Sequence, residues 1–365
     1  MGSSIDFSMG TMAVSVSGSV LAFQRCDVML LQVMSLAPGA GVVSLLDEAW
    51  RLQPFAPPFA FSAFFSPEDT LLCVCAADSA RLLLVQAGTE RHTTENGFRY
   101  AELTSGSGLV GLYLLGRDAN SRLFGLDIDD EAAGVATRNA LTMGLADRAQ
   151  FTRADLWSTA TLQLLEADKP QLMICNPPYV PEPPGTRMQI EAGAGPNGTA
   201  HVMRALELTR SVQPDAFALS WCSLAHPGAV VAAAESSGYE LSTLFVSAIA
   251  DGEYSGSVHS YLRDLPDCFI NEQPDTLKII ASDGSARFSY LLLAGAFTRR
   301  SASDVRPASD AVQKICTDFA RDGIPTLATA RAPFELHCSV LNRWDELKLR
   351  VLLHGDVSHP TRDGE

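Results

Sequence analysis

Asn176-Pro177-Pro178-Tyr179 is the segment whose residue types and order could do chemistry together. It directly follows residues 171–175, a continuous apolar run of the kind that forms a strand buried on both faces. Two prolines remove backbone donors and stiffen the turn. The Asn176 side-chain oxygen and the Pro177 carbonyl can then converge on one spot as paired acceptors, and an NH2 group placed there donates both of its protons. The nitrogen lone pair is turned out of conjugation toward an incoming electrophile. Tyr179 offers an aromatic face to hold a planar group. Catalysis of this kind is alignment plus electrostatic support of charge developing on nitrogen, with no metal needed. Taken alone, the tetrapeptide also reads as a proline-rich turn closing a strand.

A second constellation lies upstream. Gly106-Ser107-Gly108-Leu109-Val110-Gly111 follows an expected strand and opens an expected helix. Its glycines allow a tight turn and close approach to a ligand, and free amides at a helix start favour an anionic group. Asp127, with Ile128 beside it, ends a second strand, where a carboxylate can accept both ribose hydroxyl protons. Asp155-Leu156 stands past a third strand, where a carboxylate can accept from an adenine amino group. A nicotinamide dehydrogenase shows the first two features but gives no account of Asn176 to Tyr179.

The elements that must position these residues alternate. Strands are expected over 99–104, 122–126, 149–152, 171–175, 216–221, 241–250 and 287–296, with helices over 109–115, 130–143, 200–211 and 227–237. This is an α/β pattern: a mostly parallel seven-stranded sheet with helices on both faces. Residues 65–298 form this main unit, with an insertion at about 252–283 that is too long for a simple connection. Residues 1–64 read as an N-terminal accessory region, strand-like over 12–23 and helical over 42–52. Residues 299–365 read as a C-terminal appendage with helices near 311–320 and 343–353. Ser66 can cap a helix whose first position is Pro67, with Asp69 three residues after the cap.

From about 65 to 298 the chain resembles a class I S-adenosylmethionine-dependent methyltransferase with a Rossmann-like fold. Within that class it is most similar to the subgroup that methylates the glutamine side-chain amide of release factors. The resemblance rests on Ser66-Pro67-Glu68-Asp69-Thr70, the glycine loop, Asp127-Ile128, Asp155-Leu156 and Asn176-Pro177-Pro178-Tyr179. It implies that Asn176 and the Pro177 carbonyl bind the target nitrogen, that Tyr179 flanks it, and that Asp127 holds the cofactor ribose. S-Adenosylmethionine is then the expected cofactor. Its candidate contacts are Glu102, Thr104, Gly106, Gly108, Gly111, Asp127, Ile128, Asp155, Leu156 and Asn176. The chain departs from the family in having Glu102-Leu103-Thr104 where Asp-Leu-Gly is usual. Its first 64 residues do not match the family's helical recognition domain, and the insertion and tail are extra. Adenine-N6 enzymes share the Asn-Pro-Pro-Tyr motif.

Charge bears on the substrate. The 27 Lys plus Arg against 42 Asp plus Glu give a net charge of −15, and no basic run is present. Such a field disfavours nucleic acid and suits neutral or cationic molecules. The loop over 180–199 is a candidate substrate cover carrying Glu182, Arg187, Glu191 and Asn197, and Asp251, Glu253 and Tyr254 follow the sixth strand. Tyr179, Glu182, Glu191, Asp251 and Glu253 are therefore the candidate substrate residues. His201, His226 and His259 are candidates for proton removal, although lone histidines more often pack or face solvent.

The expected reaction is methylation of a guanidine or amide nitrogen on a small amino-acid-type molecule such as arginine, in specialised biosynthesis. The alternatives are a protein glutamine methyltransferase, an adenine-N6 enzyme and a non-catalytic cofactor-binding subunit. The eight scattered cysteines read as reduced core thiols. No run reaches the length of a membrane span and no basic n-region precedes an apolar block, so a soluble cytoplasmic protein is expected.

Overall fold

The computed structural model describes residues 12–16, 19–23, 67–87, 97–281, 284–300 and 307–340. Most of the 1–64 region, the Ser66 cap and the helices expected over 42–52 and 343–353 lie outside these residues. Strand β1 (Met12–Val16) pairs antiparallel with β2 (Ser19–Phe23), so the run over 12–23 forms two strands. Helix α1 (Pro67–Gln86) has Glu68 and Asp69 in its first turn, where acidic groups complement the helix dipole. Its residues from Leu72 through Ala77 are all buried, because the helix lies sandwiched in the core.

The alternating part then runs β3 (Arg99–Leu103), α2 (Leu109–Arg117), β4 (Arg122–Asp127), α3 (Asp130–Thr142), β5 (Ala149–Arg153), α4 (Thr159–Asp168), β6 (Leu172–Cys175), α5 (Ala200–Val212), β7 (Ala216–Cys222) and α6 (Pro227–Ser236). Next come β8 (Tyr239–Ala250), the short helices α7 (Glu253–Ser257), α8 (His259–Asp264) and α9 (Pro274–Ile280), and β9 (Ser289–Arg299). Helices α10 (Ala308–Asp322) and α11 (Pro325–Thr329) and strand β10 (Glu335–Val340) complete the described chain. Helix α4 was not expected: only Thr161 and Leu165 of it are buried, too sparse an apolar stripe to read as a period.

The main sheet has eight strands in the order β10-β8-β9-β7-β6-β3-β4-β5, where seven were expected. Strands β3 to β7 pair in parallel, and β9 runs antiparallel to both β7 and β8. The eighth strand, β10, joins β8 in parallel from the region expected to be an appendage. Helix α10 also docks on this unit, since Gln313 accepts from the Gly228 amide and Glu235 accepts from the Ala308 amide. No helix among the described residues is long and apolar enough to cross a membrane.

A buried ion cluster fixes α1 against the sheet. Arg81 reaches Asp78 at 2.8 Å and Asp118 at 3.5 Å, with side-chain exposures of 9%, 7% and 20%. The Tyr100 hydroxyl of β3 donates to the same Asp118. Removing Asp78 leaves the buried Arg81 with only its longer contact to Asp118, so most of its charge compensation is lost, which costs more than the intact pair contributes. Asp78→Ala is therefore expected to lower unfolding free energy by about 3–5 kcal/mol in urea titrations.

Candidate active site

Parallel pairing brings the carboxyl ends of β3, β4 and β6 to one edge. Leu103 is in register with both Leu126 and Cys175, so Thr104, Asp127 and Asn176 emerge side by side. They open into a cavity of about 410 Å³. Its other walls are Glu68, Asp69 and Thr70 of α1, residues 190–192 of the loop after β6, residues 249–250 and 252–255 around the end of β8, and Tyr290 of β9.

The glycine loop turns through positive φ at Gly106 (51°) and Gly108 (75°). A Cβ on Gly108 would also stand 2.8 Å from the Phe151 ring. Asp127 locks the loop, accepting the Gly106 amide at 2.7 Å and the Asp129 amide at 3.0 Å. Burial raises its carboxyl pKa above the ordinary value, opposed by those amides. Each carboxylate oxygen has a second lone pair, so both bonds leave acceptor capacity for a diol. Glu102 accepts the Gly111 amide at 3.1 Å and is 3% exposed. Burial pushes its carboxyl up to about 8.

In the same row of strand ends, Asn176 Oδ1 is buried and has no hydrogen-bond partner. Tyr179 is buried, and its hydroxyl bonds to Asp69. Desolvation holds the Tyr179 phenol well above its ordinary pKa, with Asp69 adding to the shift. It therefore stays a neutral donor to that carboxylate. Ser105 Oγ is likewise buried without a partner. A carboxylate at a strand end, a glycine turn and unpartnered polar oxygens fit an adenosyl amino-acid cofactor, which the cavity-lining Glu102, Thr104, Gly106, Asp127, Ile128 and Asn176 could hold.

Several candidate residues take other roles. Asp155 is exposed and accepts the Trp157 amide at 2.9 Å, while the Leu156 carbonyl accepts from Arg204. Neither lines the cavity, because the chain turns away into α4 at this point. Gly108 and Gly111 do not line it either; at Gly111 a Cβ would collide with Glu102 Oε2 at 2.6 Å, so that glycine serves packing. Glu182 braces its own loop by accepting the amides of Met188 and Gly195. Asp251 accepts the Arg287 amide and pairs with its guanidinium, pinning the start of the insertion. Pro177, Tyr179, Glu191 and Glu253 do line the cavity.

The three histidines do not. His201 packs on Trp157, His226 lies near Asp267, and His259 bonds Glu272 and stacks on Phe288. Asp69 and Tyr290 were missed. Asp69 was read as the third residue after a helix cap and within the segment carrying the resemblance, not as a site residue, and Tyr290 sits in an apolar strand whose pattern carries no sign of a site.

No family model matches the chain. It is similar to the release factor glutamine methyltransferase of Chlorobaculum tepidum, 31% identical over 90 residues, covering 25% of this chain and 30% of that one. The release factor glutamine methyltransferase of Rhodospirillum rubrum is 39% identical over 85 residues, covering 23% and 24%. The tRNA1(Val) (adenine(37)-N6)-methyltransferase of Pseudoalteromonas atlantica is 29% identical over 126 residues, covering 34% and 47%. The chain thus spans between 24% and 47% of the length of these relatives.

Glu102 generates a pH dependence. Between about 4.5 and about 8 the folded protein keeps a proton that the unfolded chain has lost, so stability falls as pH rises through this window. Glu102→Gln cannot ionise. Urea unfolding at a series of pH values should show a flatter decline for this variant and a gain over the parent protein above about pH 8.

Proposed function

We propose that this chain transfers the methyl group of S-adenosylmethionine to the NH2 nitrogen of a planar side-chain group. The observation that carries the reading is the buried, unpartnered Oδ1 of Asn176 beside Pro177 at the end of β6. A buried acceptor left without a donor costs about 1–3 kcal/mol, which an incoming N–H donor relieves. Asn176 Oδ1 and the Pro177 carbonyl together take both protons of one NH2 and so orient its lone pair. Tyr179, held through its hydroxyl by Asp69, supplies a fixed ring beside that group. When bound, the cofactor supplies an electrophilic methyl on a sulfonium.

Both kinds of relative are named for a planar NH2: a glutamine amide or an adenine amino group. These names support a glutamine-type amide carried on a protein better than the small amino-acid-type molecule expected from charge. Against the adenine reading stand the net charge of −15 and a cavity whose described lining contains no Lys, Arg or His to meet a phosphate.

The test is incubation of the full chain with methyl-labelled S-adenosylmethionine and a glutamine-bearing peptide or release factor, with the modified nitrogen located by mass spectrometry. Asn176→Ala is expected to lower the transfer rate by about 10²–10³, as for loss of one preorganised polar contact to the reacting group. Binding of S-adenosylhomocysteine, which Glu102, Gly106 and Asp127 would still hold, should fall far less than the transfer rate. Transfer by Asn176→Ala at the parent rate would sink the assignment.

A further inference from the structure

The same cavity holds a second acceptor without a donor. Glu191 lines it, and its Oε1 accepts the Tyr254 hydroxyl, while its Oε2 is buried and has no partner. The position of Glu191 is set by the backbone. The Val180 amide donates to the Ala192 carbonyl at 2.9 Å, and the Ala194 amide donates to the Val180 carbonyl at 3.0 Å. These bonds fold the loop after β6 back onto the end of Asn176-Pro177-Pro178-Tyr179. From the other side, α7 delivers Tyr254, and the Tyr261 hydroxyl of α8 donates to the Pro196 carbonyl at 2.8 Å. Glu191 is thus clamped between the loop and the insertion rather than sweeping freely in solvent.

The hydrogen-bond inventory at this end is short of donors. The hydroxyl proton of Tyr179 is engaged by Asp69, and that of Tyr254 by Glu191. Ser255 and Tyr290 are hydrogen-bonded to each other. Asn176 Oδ1 and Glu191 Oε2 both wait for donors. One NH2 group satisfies Asn176 and the Pro177 carbonyl and leaves Glu191 unmet. A carboxylate oxygen buried in such a place calls for a charge-assisted donor.

We infer that Glu191 determines specificity in this site: its open oxygen receives a cationic N–H group, ammonium or guanidinium, that the substrate carries next to the reacting nitrogen. The inference rests on the N-methyl-transfer reading and adds the substrate's second functional group. The cation has two sources. It is the rest of the same guanidinium when the reacting nitrogen belongs to one, or an ammonium flanking an amide.

Three probes separate these cases: acetyl-arginine amide, acetyl-glutaminyl-lysine amide, and the neutral acetyl-glutaminyl-glycine amide. Each is titrated calorimetrically into the full chain saturated with S-adenosylhomocysteine. At least one cationic probe should bind at least tenfold more tightly than the neutral one, and which one does so identifies the source. Glu191→Gln should reduce that preference at least tenfold, and Glu191→Asp should restore part of it. The thermal midpoint and S-adenosylhomocysteine affinity report that each variant is folded. Equal binding of the neutral probe, a preference unchanged in Glu191→Gln, or binding of no probe would overturn the inference. Labelled-methyl assays on the same probes keep the two readings apart. A cationic probe that binds through Glu191 yet accepts no methyl group defeats the transfer reading while leaving the role of Glu191 standing.

Discussion

The Asp127 carboxylate bonds to two backbone amides, those of Gly106 and Asp129, and much of the site depends on that arrangement. Parallel pairing puts the loops after β3 and β4 at one edge, and Asp127 ties those loops to each other. With Asp127 between them, the glycine turn and the start of α3 are held to one group. The cavity floor is therefore built from backbone and one short side chain, which have little conformational freedom to lose. Thr104 sits in this frame at a φ of 53°, a region that a β-branched residue enters only under constraint. Its hydroxyl bonds to the Leu103 carbonyl. Thr104 thus stands in a backbone conformation that glycine adopts without strain, at the position where the resembling family usually has glycine.

The parts of this fold that were legible in the sequence are those written in local chemistry. Short apolar runs such as 172–175 suit strands covered on both faces, and the glycine loop and strand-end acids mark where such strands stop. From these the βα order and the meeting of Thr104, Asp127 and Asn176 follow. What was not legible depends on distant partners. Strand β10 pairs with β8 across roughly ninety residues, and nothing in its own six residues announces that pairing. Single carboxylates were the least readable. Glu182, Glu191 and Asp251 look alike as acids near a mouth, yet backbone amides claim both oxygens of Glu182, and Arg287 claims Asp251. Of the three, Glu191 alone keeps a buried oxygen without a partner.

The insertion after β8 also changes meaning once seen in place. Read along the chain it is extra length between two strands. In the structure its first turn, residues 252–255, forms a wall of the cavity, and Asp251 with Arg287 anchors that turn at its root. Because β9 runs antiparallel beside β8, both ends of the insertion return to the same edge as the carboxyl ends of β3, β4 and β6. Further along, Asn271 and Gln273 donate to carbonyls of α10, so the insertion joins the cavity wall to that helix.

The cavity is assembled from two kinds of coding material. The floor, from Glu102 to Asp127 and Asn176, is inseparable from the strand ends and changes only with the frame. The substrate-side walls come from the first turn of α1, the loop ending at Ala192 and the turn after β8, three short stretches that carry no sheet register. None of the three contributes a residue to the ends of β3, β4 or β6 or to the glycine turn. In hereditary terms the floor is bound to the frame, whereas these walls are short peripheral segments whose sequence can vary without altering a strand pairing of the floor.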